Sequence, residues 1–283
     1  MDESVERLIE SALREDIGSG DLTSLYFVPE ERRATAFVVA REAGVFSGGE
    51  LGLEVLHRVD PAIQASLLVA DGDRIAEGAY LMKLEGPARS ILTAERTMLN
   101  FMQRMSGVAS ATRQYVDAVR GTNTQILDTR KTIPGWRLLD KRAVLDGGGT
   151  NHRMGLYDRV MVKDNHLMAA SDPVVLQTAI KRLKEEHPQV EVELEADRLE
   201  QVQIFLGLEG VNYILLDNMS LTDLAQAVKM RGEATTPLLE ASGGVTLKTV
   251  AGIAATGVDF ISVGAITHSV KAMDLALDFT RSE

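Results

Sequence analysis

The sequence predicts an α/β protein in which a mixed N-terminal part precedes a parallel α/β barrel, or part of one. Three observations carry this. From about Gly121, short β-rich runs alternate with helical stretches: TQILDT, RVMVK, VEVELE, NYILLD, PLLEAS and DFISVG. Strand–helix alternation of this kind makes βα units and a parallel sheet. The runs end, in order, in Arg130-Lys131, Lys163, Glu193 and Glu195, Asp217-Asn218, Glu240-Ala241-Ser242-Gly243-Gly244, and Gly264. The C-terminal ends of barrel strands form the functional face, so six such ends in register point to one mouth rather than to scattered charge. Finally, 283 residues with 45% hydrophobic content suit one large domain or two modest ones and argue against disorder.

Residues 1 to about 108 have a different texture. Val5–Glu15 is patterned as a short helix and leads into the turn-rich DIGSGDLTS. ATAFVVAREAGVFSG reads as strand, and IQASLLVADGDRIAEGAYLMKLEG alternates in β fashion with Asp71-Gly72 as its turn signal. From about Ala88, the residues Ile91, Leu92, Met98, Leu99, Met102 and Met105 recur near the helical period and give one apolar stripe. Ser106-Gly107 is expected to interrupt that helix. DGDRIAEGAYLMKLEG has the hairpin rhythm of biotinyl and lipoyl carrier folds. A carrier needs its modified lysine at an exposed turn tip, whereas Lys83 lies inside an alternating strand, so the hairpin is read as scaffold.

Two helices of the second part carry start signals. SDPVVLQTAIKRLKEE has Ser171 as N-cap and Pro173 in the first turn. SLTDLAQAVKM has Ser220 and Asp223 spaced as a capping box. There is room for a further short strand near Thr150–Arg153.

The formal net charge of -11 argues against a general nucleic-acid or anionic-membrane surface. Yet from Arg130 to Lys163 eight Lys/Arg stand against three Asp, with His152 in addition. Such a basic cluster around three glycines suits a pocket for small, highly charged anions. The absence of cysteine excludes disulfides, thiolate catalysis and zinc–thiolate sites, and is compatible with a reducing cytosol. MDESVERLIESALRED is charged and helix-patterned, unlike a secretory signal. No stretch approaches the ~18 apolar residues of a membrane span. The expectation is a soluble, cytoplasmic protein with neither nucleic acid nor membrane as partner.

Arg130, Arg153 and Lys163 suit carboxylates or phosphates, which arginine can grip bidentately; each charge-assisted bond contributes roughly 1.5–3 kcal/mol. For Lys141 and Arg142, inside a helical stretch, the plainer reading is surface charge. Gly147–Gly149, Ser242–Gly244 and Gly264 let backbone N–H groups approach an anion closely, although a glycine triplet alone can be only a turn. Glu193 and Asp217 end adjacent runs, and carboxylates near a polyphosphate hold Mg²⁺ or stabilise a developing cation; the structural alternative is a salt bridge to Lys163 or Arg130. His152 reads either as a ligand or as a satisfied structural histidine. Asn165 and His166 are expected to shape the loop before the next helix. Together these groups suggest transfer chemistry on a phosphorylated sugar.

DTRKTIPGWRLLDKRAV, GGGTNHRMGLYDRVMVKDNH, VEVELE, ILLDN, EASGGV and VGAITHS resemble the quinolinate phosphoribosyltransferase family, and ALREDIGSGDLTS and LTAERTMLNFMQRMSGVA match it too. The resemblance covers nearly the whole chain in order. It implies an N-terminal α/β sandwich domain over residues 1–108, joined by the tail from about 268 to 283, and an incomplete parallel α/β barrel over 109–267. It implies transfer of phosphoribose from phosphoribosyl pyrophosphate to quinolinate with loss of CO₂, giving nicotinate mononucleotide and pyrophosphate in NAD biosynthesis, with Mg²⁺. It also implies a homodimer or higher homo-oligomer with shared active sites.

Carried over by motif, Arg130, His152, Arg153 and Lys163 would hold the quinolinate carboxylates, and Arg96 would reach in from a partner subunit. Lys131 would contact the donor. Glu193 and Asp217 would hold Mg²⁺ and the ribose. Lys163, Glu193 and Asp217 would be the catalytic groups. Ser242, Gly243, Gly244 and Gly264 would cradle the 5′-phosphate. Two departures stand out: Arg142 where many relatives have tyrosine, and Leu145 where many have arginine. Their shared helix face suggests that Arg142 partly replaces the missing cation. Trp136, often a smaller residue, is read as packing. The alternatives are a paralogous transferase of the same fold acting on another acceptor, and a catalytically silent anion-binding barrel. The intact NHRMGL and VKDNH argue against the first, and retention of both Glu193 and Asp217 against the second.

Overall fold

The computed structural model describes residues 2–163 and 172–280. The described residues form two compact units. One holds those up to Arg113, Thr132–Gly148 and those from Ser269; the other holds Gln114–Lys131 and those within Gly149–His268.

The first unit is built on a four-stranded antiparallel sheet. Its strands are β1 (Arg33–Ala40), β3 (Gln64–Leu67), β5 (Tyr80–Pro87) and β12 (Leu275–Phe279), in the order β12-β1-β5-β3. Lys83 pairs opposite Phe37 on one side and Ser66 on the other. It therefore lies in a central strand and not at a turn tip, as the alternation predicts. A two-stranded ribbon joins β2 (Gly44–Val45) to β4 (Arg74–Ile75).

Helices α1 (Glu3–Ile17) and α2 (Leu22–Phe27) start at aspartate caps, Asp2 accepting from the Ser4 amide and Asp21 from the Ser24 amide. These bonds satisfy amides that a helix start leaves without intrahelical partners. Helix α3 (Gly49–Val59) meets the long helix α4 (Ala88–Ala118) closely: a Cβ on Gly52 would lie 2.7 Å from the Met102 sulfur. Of the stripe on α4, Ile91, Met98, Leu99, Met102 and Met105 are buried, whereas Leu92 is only half-buried.

The predicted interruption of α4 does not occur: the helix runs unbroken through Ser106 and Gly107. Both residues serve close contacts instead. Ser106 Oγ accepts from the Ser47 amide at 3.0 Å and donates to the Ser47 carbonyl at 3.1 Å. A Cβ on Gly107 would lie 2.4 Å from the Lys271 carbonyl oxygen.

Residues 132–148 belong to the first unit, whereas the sequence assigns them to the barrel. Side chains explain why. Trp136 stacks on Phe101 with ring centres 5.0 Å apart, and Arg104 pairs with Asp140 at 3.1 Å. On α5 (Arg137–Asp146), Asp146 accepts from Ser47 Oγ at 2.5 Å. Lys141 on α5 is 1% exposed, so its reading as a surface cation is corrected.

The second unit holds all six predicted strands in one parallel sheet: β6 (Gln125–Leu127), β7 (Arg159–Val162), β8 (Glu191–Ala196), β9 (Tyr213–Asp217), β10 (Leu238–Ser242) and β11 (Phe260–Ser262). The order is β6-β11-β10-β9-β8-β7. Helices α6 (Pro173–Glu186), α7 (Leu199–Leu206), α8 (Leu221–Arg231), α9 (Val250–Ala254) and α10 (Ala265–His268) alternate with them. Asp172 caps α6 and Ser220 caps α8. Ser171, Asn165 and His166 lie outside the described residues.

Thr150–Arg153 makes a single bridge, Leu127 to Thr150, rather than a strand. It nevertheless links the two sheet edges. The Thr150 amide donates to the Ile126 carbonyl at 2.8 Å, and Arg153 Nη1 donates to the Arg159 carbonyl at 3.1 Å. The result is an incomplete barrel whose gap is spanned by a short extended segment. No described helix is long and apolar enough to cross a membrane.

Candidate active site

Strand alternation puts every second residue on one face. On the inner face this gives Arg159 and Met161, then Glu191, Glu193 and Glu195, then Tyr213, Leu215 and Asp217, then Leu238, Glu240 and Ser242. The register sorts them by depth. Tyr213 pairs with Glu193 and Leu238; Leu215 pairs with Glu195 and Glu240; Asp217 pairs with Ser242.

At the floor, Arg159 bonds Glu191 at 2.8 Å and lies over the Tyr213 ring, 4.0 Å from its centre. Tyr213 Oη donates to Glu191 at 3.1 Å. Above Arg159 and Glu191, from the level of Tyr213 upward, His152, Glu193 and Glu240 converge, all buried, with ligand-type atoms within 4.8 Å of one another. Nε2 of His152 lies 3.2 Å from Glu193 Oε2 and 3.3 Å from Glu240 Oε2, without lining up on either.

Burial opposes a charge on His152, but the two glutamates beside Nε2 outweigh it and raise its pKa to about 9. The Arg153 amide donates to Nδ1 at 2.7 Å; that bond needs a lone pair, which the neutral ring has and an imidazolium lacks, so it opposes the protonation that the glutamates favour. Burial, and then the charge of Glu240, raise the pKa of Glu193.

At the mouth, Lys163 Nζ meets Glu195 Oε2 at 2.7 Å. Asp217 accepts from Asn218 Nδ2 at 2.9 Å, and the Asn218 amide donates to the Ser242 carbonyl at 2.9 Å. Gly243 and Gly244 have φ of +97° and +57°, in the region that favours glycine. A Cβ on Gly243 would also lie 2.1 Å from Asn218 Oδ1. The stem of Lys131 passes over Gly264, where a Cβ would lie 3.1 Å from Lys131 Cδ, and Thr267 Oγ1 donates to the Lys131 carbonyl at 2.8 Å. Burial, and next the positive charge of Arg130, lower the pKa of the Arg153 guanidinium. Two half-buried cations thus lie in electrostatic range of each other.

The structure therefore brings Lys131 to Gly264, Asp217 to the Ser242–Gly244 loop, and Arg130 into electrostatic range of Arg153. Arg96 is exposed on α4 in the first unit. Two assignments change. Glu193 is fully buried, and its β9 neighbour Tyr213 stands four residues below Asp217, about 13 Å along the strand. It cannot share a small cation with Asp217. Glu195 stands one inner-face position higher, beside Lys163, and replaces it at the mouth. His152 turns Nε2 onto the two glutamates rather than presenting it as a free carboxylate ligand. Glu240 was given no role from the sequence, although a glutamate inside the apolar run PLLEAS, two residues before Ser242, was the signal. A cleft of 720 Å³ opens on the first unit beside Phe27, Arg33 and Glu85, and no predicted site residue lines it.

Comparison with known proteins bears on family and fold. Residues 21–106 match the N-terminal domain and residues 108–278 the C-terminal domain of quinolinate phosphoribosyl transferase. The chain is 44% identical to the nicotinate-nucleotide pyrophosphorylase [carboxylating] of Mycobacterium leprae, covering 95% of each chain. It is 43% identical to the chloroplastic enzyme of that name from Arabidopsis thaliana, over 96% of this chain and 82% of the relative. The solved nicotinate-nucleotide pyrophosphorylase of Francisella tularensis superposes with a TM-score of 0.90 at 39% identity, covering 98% of this chain and 96% of that one.

Proposed function

Because this chain belongs to the quinolinate phosphoribosyltransferase family, we propose that it transfers phosphoribose from phosphoribosyl pyrophosphate to quinolinate with decarboxylation, giving nicotinate mononucleotide, pyrophosphate and CO₂. The observation that carries the reading is the barrel mouth itself, where Lys163 meets Glu195, Asp217 adjoins the Ser242–Gly244 turn, and Arg130 lies in electrostatic range of Arg153. A pyridine dicarboxylate suits neighbouring guanidiniums, which grip carboxylates bidentately. Lys163 completes the cationic side of the mouth.

The Ser242–Gly244 turn, with Gly264 opposite, suits the 5′-phosphate through backbone N–H groups. Lys131, whose stem crosses Gly264, suits the donor's charged groups. With its phosphates and ring carboxylates held, the pyridine nitrogen attacks C1 of the ribose as pyrophosphate departs. Asp217 and Glu195 face the developing positive charge and favour it electrostatically. The ring nitrogen becomes cationic, draws electrons from the adjacent carboxylate, and CO₂ leaves; the ring carbon then takes a proton.

Glu195 and Asp217 are hard oxygen donors that suit Mg²⁺, which binds through one or two carboxylates and the substrate's phosphates. Bound there, it would neutralise charge on the departing pyrophosphate. We assign a homodimer with shared sites as the working assembly. Leu22, Leu25, Tyr26 and Phe27 on α2 are all more than half exposed, and such apolar patches mark interaction surfaces. Arg96, exposed on the same unit, suits the cation contributed in trans. The chemistry and the acidic, cysteine-free chain support a cytoplasmic setting.

The test is an assay with quinolinate, phosphoribosyl pyrophosphate and Mg²⁺, with nicotinate as control acceptor. Equal release of CO₂ and nicotinate mononucleotide from quinolinate alone is expected. Binding of quinolinate without turnover would replace the reading by a silent barrel.

A further inference from the structure

The cluster of His152, Glu193 and Glu240 is costly. Both carboxyl groups are 0% exposed, and among the described residues none of their four oxygens makes a hydrogen bond. Buried acids held this way contribute little to stability, and apolar residues of similar size often pack at least as well. The cluster's geometry nevertheless has a direction. Glu193 and Glu240 approach Nε2 from two strands and leave Nδ1 facing the chain, where it accepts the Arg153 amide at 2.7 Å. The His152 amide in turn donates to Asp128 Oδ1 at 2.7 Å, and the Asp128 amide donates to the Thr150 carbonyl at 3.2 Å. The Arg153 guanidinium is tied to the Arg159 carbonyl at 3.1 Å. Arg153 is thus held at both its backbone and its side chain, and the imidazole is the backbone tie.

We propose that Glu193 and Glu240 form a buried carboxyl clamp that holds the His152 imidazole turned inward, so that its Nδ1 fixes the Arg153 backbone, making His152 a positioning residue for the substrate-binding arginine rather than a ligand of the substrate. The proposal rests on the reading above that Arg153 binds a quinolinate carboxylate. It assigns the cluster to binding of the pyridine substrate and leaves the phosphoribosyl donor to other groups.

Two amide replacements of His152 separate the roles, because each mimics one ring nitrogen. His152→Asn keeps an acceptor near the Nδ1 position; His152→Gln keeps a polar group near Nε2. Measured by steady-state kinetics and calorimetric titration with quinolinate, His152→Asn is expected to hold KM and Kd within about threefold, and His152→Gln to raise both by about tenfold or more. KM for phosphoribosyl pyrophosphate should move less than about twofold in either. Glu240→Gln is expected to raise KM for quinolinate severalfold with an unchanged or higher Tm, which a purely structural cluster would not do. The reverse ranking of the two His152 variants would overturn the proposal, as would a Glu240→Gln protein that loses Tm and leaves KM unchanged. Wild-type protein that neither binds nor turns over quinolinate would overturn the functional reading itself, whatever the variants do.

Discussion

Lys163 and Glu195 each follow one residue after the paired Val162 and Leu194 of the adjacent parallel strands β7 and β8, and their side chains meet at 2.7 Å. The pair places one cation and one carboxylate at the barrel mouth. It also separates Glu195 from Glu193, which lies two residues lower on the same face and is fully buried. Two glutamates of one strand thus meet different partners at different depths.

Glu195→Gln should lower kcat by roughly tenfold to a hundredfold, because a carboxylate facing developing charge acts mainly in the transition state. It should also raise the Mg²⁺ concentration needed for half-maximal rate. Glu193→Gln should leave the Mg²⁺ dependence unchanged. Initial rates over a Mg²⁺ titration, with both variants in parallel, check this. A shift in Mg²⁺ dependence for Glu193→Gln alone would restore the deeper residue to the metal site.

Arg142→Ala should not weaken substrate binding, contrary to the idea that it replaces a cation missing at Leu145. Its guanidinium is bonded to Glu50 at 2.9 Å and approaches Asp71 at 3.5 Å. The hydrogen bond it donates to Glu50 raises its pKa. The pair is half exposed, so its loss should cost under ~1 kcal/mol. The expected result is a Tm lower by a degree or two, with KM for quinolinate within about twofold of wild type. A tenfold rise in that KM would reinstate the cation.

The fold was legible in the sequence wherever one local pattern decided it. All six barrel strands follow from short apolar runs that alternate with helical stretches, and alternation keeps Lys83 off a turn tip. What escaped depended on partners distant in sequence. Gly107 reads as a helix breaker until the Lys271 carbonyl stands against it. Residues 132–148 read as barrel until Trp136 finds Phe101 and Asp140 finds Arg104. The site was legible by residue type and less so by depth. VEVELE offers three acids on one face, and only the pairing of β8 with β7 shows which one reaches the level of Lys163.

Gly243→Ala should disable the phosphate turn without unfolding the barrel. The new Cβ would fall 2.1 Å from Asn218 Oδ1, at a φ of +97° that side chains rarely adopt. Asn218 is itself held at a φ of 51° and bonded to Asp217, so a displaced Asn218 disturbs Asp217 as well. The expected outcome is a rise of at least about tenfold in KM for phosphoribosyl pyrophosphate with a smaller change for quinolinate, read by varying each substrate at saturation of the other. A larger effect on quinolinate would assign the turn to the wrong substrate.

Gly107→Ala sets two magnitudes against each other. In an exposed helix interior, alanine gains ~0.8–1 kcal/mol over glycine. Here the added Cβ would meet the Lys271 carbonyl oxygen at 2.4 Å, which real structures do not sustain, and Ala272 Cα at a tight 3.2 Å. Overpacking of this kind costs ~1–3 kcal/mol or more, and the obstructing atoms are backbone that no rotamer change can move aside. The steric effect should win, leaving a net loss of ~1–2 kcal/mol and a Tm lower by several degrees at ~2–4 °C per kcal/mol for a chain of this size. Thermal unfolding followed by circular dichroism decides it. A higher Tm would mean that Gly107 is only a weak point in α4, and that the chain around Lys271 yields readily to a methyl group.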